Sequence, residues 1–122
     1  MQAIPDFDYE YNTTVSSAKD IRDYLKTLDK PPIYSINIRD NSLIWETLDA
    51  EELITWAPAV ELECEEDFSS RQLFTASEVA AMISASTKES VSIRGGSDSC
   101  PVEFTWTPYE GVEYTGLVAP RL

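Results

Sequence analysis

Histidine is absent from this chain of 122 residues, and bases are scarce, because only nine Lys and Arg accompany 22 Asp and Glu. Without histidine the chain lacks the usual general base, the commonest transition-metal ligand and the side chain that titrates near neutral pH. The net charge of −13 also disfavours direct contact with nucleic acid, since the molecule as a whole repels phosphate. These absences favour a binding protein over an enzyme.

Cysteine and glycine are also rare, with two and four residues. Cys64 and Cys100 form no Cys-x-x-Cys pattern, so the sequence predicts neither a zinc site nor a redox dithiol, and both thiols are expected to be free and buried. Gly95 and Gly96 lack the glycine spacing and the lysine of a phosphate-binding loop, and they predict a turn between strands.

Long hydrophobic runs are missing as well. No apolar run approaches the roughly 20 residues that cross a bilayer, and the N-terminus has acids where a secretory signal would carry bases. The sequence therefore predicts a cytoplasmic protein that makes no membrane contact.

The residues that are present indicate a folded chain. Apolar residues make up 43% of the sequence, and the thirteen aromatic residues argue against intrinsic disorder in spite of the charge. Neither an internal repeat nor an interdomain linker is visible. We expect one domain over residues 1–122.

Local patterns predict a strand and a helix at the start of the chain. Aromatic and acidic side chains alternate over residues 7–11, as in a strand with one buried face. Ser17 and Asp20 resemble a capping box, and apolar residues then recur at helical spacing, so a helix should end before Pro31. Its polar side carries four of the nine bases: Lys19, Arg22, Lys26 and Lys30.

The middle of the chain predicts a hairpin, a short helix, a strand and a longer helix. Residues 33–38 and 43–47 alternate around turn residues and should pair as a hairpin. Asp49 as N-cap, with Leu48 and Leu53 at staple spacing, predicts a short helix to about Trp56. Thr75 and Glu78 form the next capping box, which should start a helix that ends near Ala85.

Strand patterns fill the C-terminal part, at residues 91–93, 102–106 and 112–118, with a hairpin loop at residues 107–111. Taken together, the elements predict an α+β fold with a mostly antiparallel sheet and two to three short helices packed on one face.

The most uneven stretch of charge lies between Asp40 and Ser70, which contains ten carboxylates and no Lys or Arg. In residues 60–65 apolar side chains alternate with Glu61, Glu63 and Glu65, so a strand should hold these acids in a row. The residues expected to contact a partner are those of this acidic segment: Asp49, Glu51, Glu52, Trp56, Glu61, Glu63, Glu65, Glu66 and Asp67.

Neither a metal site nor a catalytic site is predicted. Residues 6–10 place acids as a calcium loop does, but Tyr11 stands where the loop needs glycine and Ser17 where it needs glutamate. A pair of carboxylates could hydrolyse glycosides, yet no pair is singled out among 22 acids, and the serines have no histidine to activate them. We expect no cofactor.

Carboxylates about 6.6 Å apart along a strand resemble the phosphates of a nucleic-acid strand. The sequence therefore favours a small acidic DNA mimic that inhibits a basic, nucleic-acid-acting protein such as a nuclease, deaminase or defence complex, as immunity proteins and phage anti-defence inhibitors do. Three alternatives remain open: an assembly or adaptor protein of a phage or cell, an acidic surface that serves solvation in high salt, and a domain whose acidity is incidental.

Overall fold

The computed structural model describes residues 7–16, 18–26, 33–48, 53–84 and 90–121, which form nine strands and two helices. In chain order they are β1 (Tyr11–Val15), α1 (Ala18–Lys26), β2 (Ile33–Arg39), β3 (Ser42–Leu48), β4 (Thr55–Trp56), β5 (Leu62–Cys64), β6 (Ser70–Thr75), α2 (Ala76–Ser84), β7 (Val91–Gly95), β8 (Val102–Tyr109) and β9 (Val112–Val118).

The strands divide between two sheets, and each strand pair is antiparallel. Sheet A has the order β5-β1-β7-β8-β9, and sheet B has the order β4-β3-β2-β6. Buried side chains from both sheets and both helices form a single hydrophobic cluster, in which Trp45, Phe74 and Phe104 are among the largest fully buried residues. The predicted α+β class is confirmed, with two helices in the described residues.

The two sheets are related by an internal repeat that the sequence analysis did not detect. The series β1-α1-β2-β3-β4 and β6-α2-β7-β8-β9 have the same order of elements. Sheet A contains the run β1-β7-β8-β9, and sheet B contains the matching run β6-β2-β3-β4. The first strand of each half therefore joins the sheet formed by the last three strands of the other half, β1 beside β7 and β6 beside β2, so the repeat is one of topology.

Two predicted hairpins are confirmed. The β2–β3 hairpin turns at Asp40 and Asn41, whose φ angles of 50° and 58° are those of a type I′ turn. The β8–β9 hairpin turns at Gly111, with φ of 80°. Asn and Asp tolerate the left-handed region through their short polar side chains, and glycine does so because it has no Cβ.

The first and the third of the predicted helices are also confirmed. Ala18, Ile21 and Tyr24 form the buried face of α1, as their spacing predicts. In α2, Val79 and Ile83 are fully buried, while half-buried Met82 packs against the core.

The predicted helix over residues 49–56 is wrong in its described part. Residues 49–52 lie outside the described residues, and Thr55–Trp56 forms β4, which pairs with β3. Thr47 fixes this arrangement, because its side-chain hydroxyl accepts from the Ile54 amide at 3.0 Å and its own amide donates to the Ile54 carbonyl at 3.2 Å. Pairing with β3 thus overrides the local helix signals.

Two strand boundaries differ from the prediction. The first strand begins at Tyr11 rather than at residue 7, and the acidic strand is reduced to Leu62–Cys64. Neither helix among the described residues is long and apolar enough to cross a membrane.

Candidate interaction surfaces

The acidic row of residues 61–65 lies at the edge of sheet A. Glu61, Glu63 and Glu65 are exposed, whereas the intervening Leu62 and Cys64 are half-buried and pack against the core. Pairing of β5 with β1 places Glu63 opposite Asn12. The predicted alternation is therefore present, with Glu61 and Glu65 just outside the strand.

Glu65, Glu66 and Asp67 continue the row into an acidic cleft of about 600 Å³. This cleft forms where the β2–β3 turn meets the connection from β5 to β6, so Asp40 adds a fourth carboxylate. No Lys or Arg is among the residues that line it. The described part of the predicted acidic segment thus forms one negative edge.

The other predicted contact residues have different positions. Asp49, Glu51 and Glu52 lie outside the described residues. Trp56 is half-buried in an aromatic cluster, where its ring stacks on Tyr24 at 5.4 Å between centroids and meets Trp45 edge to face at 5.6 Å. These contacts are worth about 0.5–1.5 kcal/mol each beyond area burial, and they hold β4 against the core.

The described residues contain no group of three or more Cys, Asp or Glu side chains arranged to hold a metal ion. Both cysteines are free and half-buried. Burial, followed by the nearby carboxylates of Glu10 and Asp8, raises the pKa of the Cys100 thiol. A raised pKa keeps this thiol protonated at neutral pH, and a protonated thiol is a weaker nucleophile than a thiolate.

An ion pair on sheet A, between the half-exposed Arg94 and the buried Glu103, had no signal in the sequence. The Glu103 carboxylate accepts two hydrogen bonds from Arg94, from Nε at 2.7 Å and from Nη2 at 3.1 Å. The guanidinium also lies 4.2 Å from the ring centroid of Tyr9. Burial raises the pKa of Glu103, but hydrogen bonds from Arg94 and Thr105 and the charge of Arg94 outweigh it and lower the pKa below its usual value.

The bases of α1 form the main positive feature of the described chain. Lys19 is exposed and donates to Asp23, one helical turn later, at 2.7 Å. Arg22 and Lys26 follow in the same helix, and Lys30 lies outside the described residues. Asp20 and Asp23 offset part of this charge, so the helix is mildly basic within an acidic molecule.

The outer strand β9 forms an exposed edge with apolar side chains. Among the described strands it pairs only with β8. Tyr114 is 50% exposed and Val112 is 39% exposed. By contrast, the edge of β6 is covered at one point, where the Arg121 amide donates to the Leu73 carbonyl at 2.7 Å. Unpaired backbone groups beside exposed apolar side chains are typical of strands that pair with another chain.

No protein-family model matches the chain, and no curated protein sequence does. Solved structures do match. The proliferating cell nuclear antigen (PCNA) of Thermococcus kodakaraensis superposes on 99% of this chain with a TM-score of 0.80 and 16% identity. The PCNA of Entamoeba histolytica gives 0.77, with 16% identity over 99% of the chain. The β subunit of DNA polymerase III from Thermotoga maritima gives 0.73, with 17% identity over 98%.

The chain shares the fold of part of each of these three proteins. It spans 51% and 49% of the two PCNA chains and 32% of the β subunit. At such low identity the likeness shows the fold alone.

Proposed function

We propose that this chain is a non-catalytic accessory protein of a DNA polymerase. The accessory protein acts as an assembly of units that each have the fold shared with PCNA. The observation that carries the proposal is the match over almost the whole chain to PCNA and to a DNA polymerase III subunit. The chain spans about half of a PCNA chain, and the proposal is that copies of it assemble.

The exposed edge of β9 supports assembly. A neighbouring copy can add a strand there, because the backbone groups along that edge face no other described strand and Tyr114 and Val112 offer apolar surface. The resulting interface would join sheets of two copies into one continuous sheet.

The segregated charge supports a role at DNA. Lys19, Arg22 and Lys26 recur along the sequence of α1 and give this helix a local attraction for phosphates, while the exposed acids of residues 61–67 lie on the edge of sheet A. An assembly that presents α1 from several copies toward duplex DNA would collect these bases, and the acids would keep other orientations away from phosphate.

The test joins the oligomeric state to retention on DNA. Native mass spectrometry should show an oligomer that Tyr114→Lys dissociates, whereas Tyr109→Lys, at the hairpin tip, should leave it intact. The assembled protein should stay on nicked circular DNA and leave the same DNA after linearisation. A monomer that shows equal dissociation from circular and linear DNA would refute the proposal.

A second candidate is supported by the acidic row. The exposed Glu61, Glu63 and Glu65 with the adjoining cleft form a surface that fits a basic groove, as an inhibitor of a nuclease, deaminase or defence complex would present. Replacing the three glutamates with glutamine should slow association with such a partner at low salt and leave the fold intact. Unchanged association would assign the row to the scaffold.

A pull-down separates the two candidates. A basic nucleic-acid-acting protein that is captured at low salt and released at high salt supports inhibition, since charge attraction is screened. Capture of a DNA polymerase supports the accessory role. A structural protein that resists high salt would instead support the assembly or adaptor role.

A further inference from the structure

We propose that a cleft on the outer face of sheet B binds a phosphoryl group. The cleft has a volume of about 500 Å³. Two arginines, one glutamate, three small polar residues and one isoleucine line it: Arg39, Arg71, Glu46, Asn37, Ser69, Ser70 and Ile38. Its volume lies within the range of about 300–1,000 Å³ that is usual for small-ligand sites.

Strand pairing sets the two arginines side by side. Ile38 and Asn37 of β2 lie opposite Ser70 and Arg71 of β6, so Arg39 and Arg71 are diagonal neighbours on one face. Side chains at diagonal positions are separated by roughly 7–8 Å, a distance that one phosphoryl group can bridge. The type I′ turn directly after Arg39 fixes the end of β2.

The charge of this cleft is opposite to that of the molecule. Arg39 donates to Glu46 at 3.2 Å, and the Arg39 side chain is 59% exposed. This ion pair uses few of the five N–H donors of the guanidinium group. Arg71 is exposed and has no ion pair within the described residues. Two guanidiniums against one carboxylate leave one excess positive charge in a chain whose net charge is −13.

The donor set matches a phosphoryl group. Guanidinium groups form paired, charge-assisted hydrogen bonds with phosphate oxygens, and the hydroxyl of Ser69, which also lines the cleft, can donate to the remaining oxygen. The acidic cleft shares Ser69 with this one, so the rest of the ligand should be neutral or basic. A phosphoserine next to a lysine combines a phosphoryl group with a basic neighbour. Free phosphate supplies the phosphoryl group alone.

The experiment follows amide resonances of the whole chain during titration at constant ionic strength. The probes are inorganic phosphate, a short peptide with phosphoserine next to lysine, and the same peptide without phosphate. Shifts should concentrate at residues 37–39 and 69–71. Stronger binding of the phosphopeptide would identify a phosphorylated partner as the source, and equal binding would identify free phosphate.

Arg71→Gln should weaken phosphopeptide binding at least about tenfold, because a charge-assisted pair is lost. Arg39→Gln should weaken it in the same direction. Arg121→Gln removes one positive charge from an exposed position that does not line the cleft and serves as the matched control, with less than about twofold change expected. Equal binding of the unphosphorylated peptide, shifts that do not localise, or unchanged affinity in both arginine variants would overturn the proposal.

Discussion

Gly116 of β9 lies directly against the Met82 side chain of α2. A Cβ at this position would overlap the Met82 side chain, above all its sulfur. We therefore expect Gly116→Ala to lower the free energy of unfolding by about 1–3 kcal/mol, as overpacking does. Urea denaturation followed by fluorescence measures this difference.

A double-mutant cycle tests the cause. Met82→Ala removes the atoms that a Cβ at position 116 would meet, so the double variant should be more stable than the sum of the single effects allows. Additive effects would show that the cost arises in the backbone of β9 and not in the contact with α2.

The ion pair of Arg94 and Glu103 should give a pH-dependent contribution to stability. The pKa of Glu103 is lower in the folded state, so the pair stabilises the fold above the ordinary glutamate pKa, and this contribution is lost as the pH falls through the folded pKa. Glu103→Gln should cost about 1 kcal/mol at neutral pH, because the amide still offers an acceptor to the half-exposed Arg94 side chain but lacks the negative charge that strengthens these hydrogen bonds.

The measurement compares unfolding free energies of the parent and of Glu103→Gln at pH 7 and at pH values well below about 4.3, the ordinary glutamate pKa. The gap between the two proteins should shrink on acidification. Glu113→Gln, an exposed position on β9, serves as control and should stay within about 0.5 kcal/mol of the parent. A gap that is constant with pH would contradict the assigned role of the carboxylate.

At the scale of elements, α1 provides the test of the proposed DNA contact. Replacing Lys19, Arg22 and Lys26 together with glutamine should reduce the affinity of the assembled protein for duplex DNA by about tenfold or more and flatten its salt dependence. Fluorescence anisotropy at several salt concentrations measures both quantities. If neither changes, another surface contacts the DNA.

Elements with local signals could be predicted from the sequence, whereas their pairing could not. Thr75 and Glu78 mark the start of α2, and Asp40 and Asn41 mark the β2–β3 turn. Pairing of β1 with β7 joins residues about 80 positions apart, for which a single sequence has no local signal. The helix predicted up to Trp56 was wrong because Trp56 pairs with Trp45 of β3, and the local helix signals do not report this pairing.

A trace of the internal repeat is visible once the topology is known. Residues 35–39 read Ser-Ile-Asn-Ile-Arg and residues 90–94 read Ser-Val-Ser-Ile-Arg, and they fall on the equivalent strands β2 and β7. Each of these strands also carries an arginine that pairs with a glutamate of the next strand. Five residues are too few to reveal a repeat without the structure. The exposure of Glu61, Glu63 and Glu65, in contrast, followed from alternation alone.

At the scale of the whole molecule, the charge of −13 should make stability depend on salt. Repulsion among exposed acids opposes the compact state, and salt screens it. The urea midpoint should therefore rise between about 0.05 and 1 M sodium chloride. The triple Glu61, Glu63 and Glu65 to Gln variant should show a smaller rise, and an equal rise would place the repulsion elsewhere on the surface.

The first strand of each half lies in the sheet of the other half, so each half needs the other to complete its sheet. A cut in the connection from β5 to β6 would produce two fragments that each hold strands of the other's sheet: β1 and β5 in the N-terminal fragment and β6 in the C-terminal fragment. Neither fragment could complete a sheet alone, but together they would restore both. The chain is thus a natural design for a split protein, in which reassembly of two inactive pieces reports that they have met.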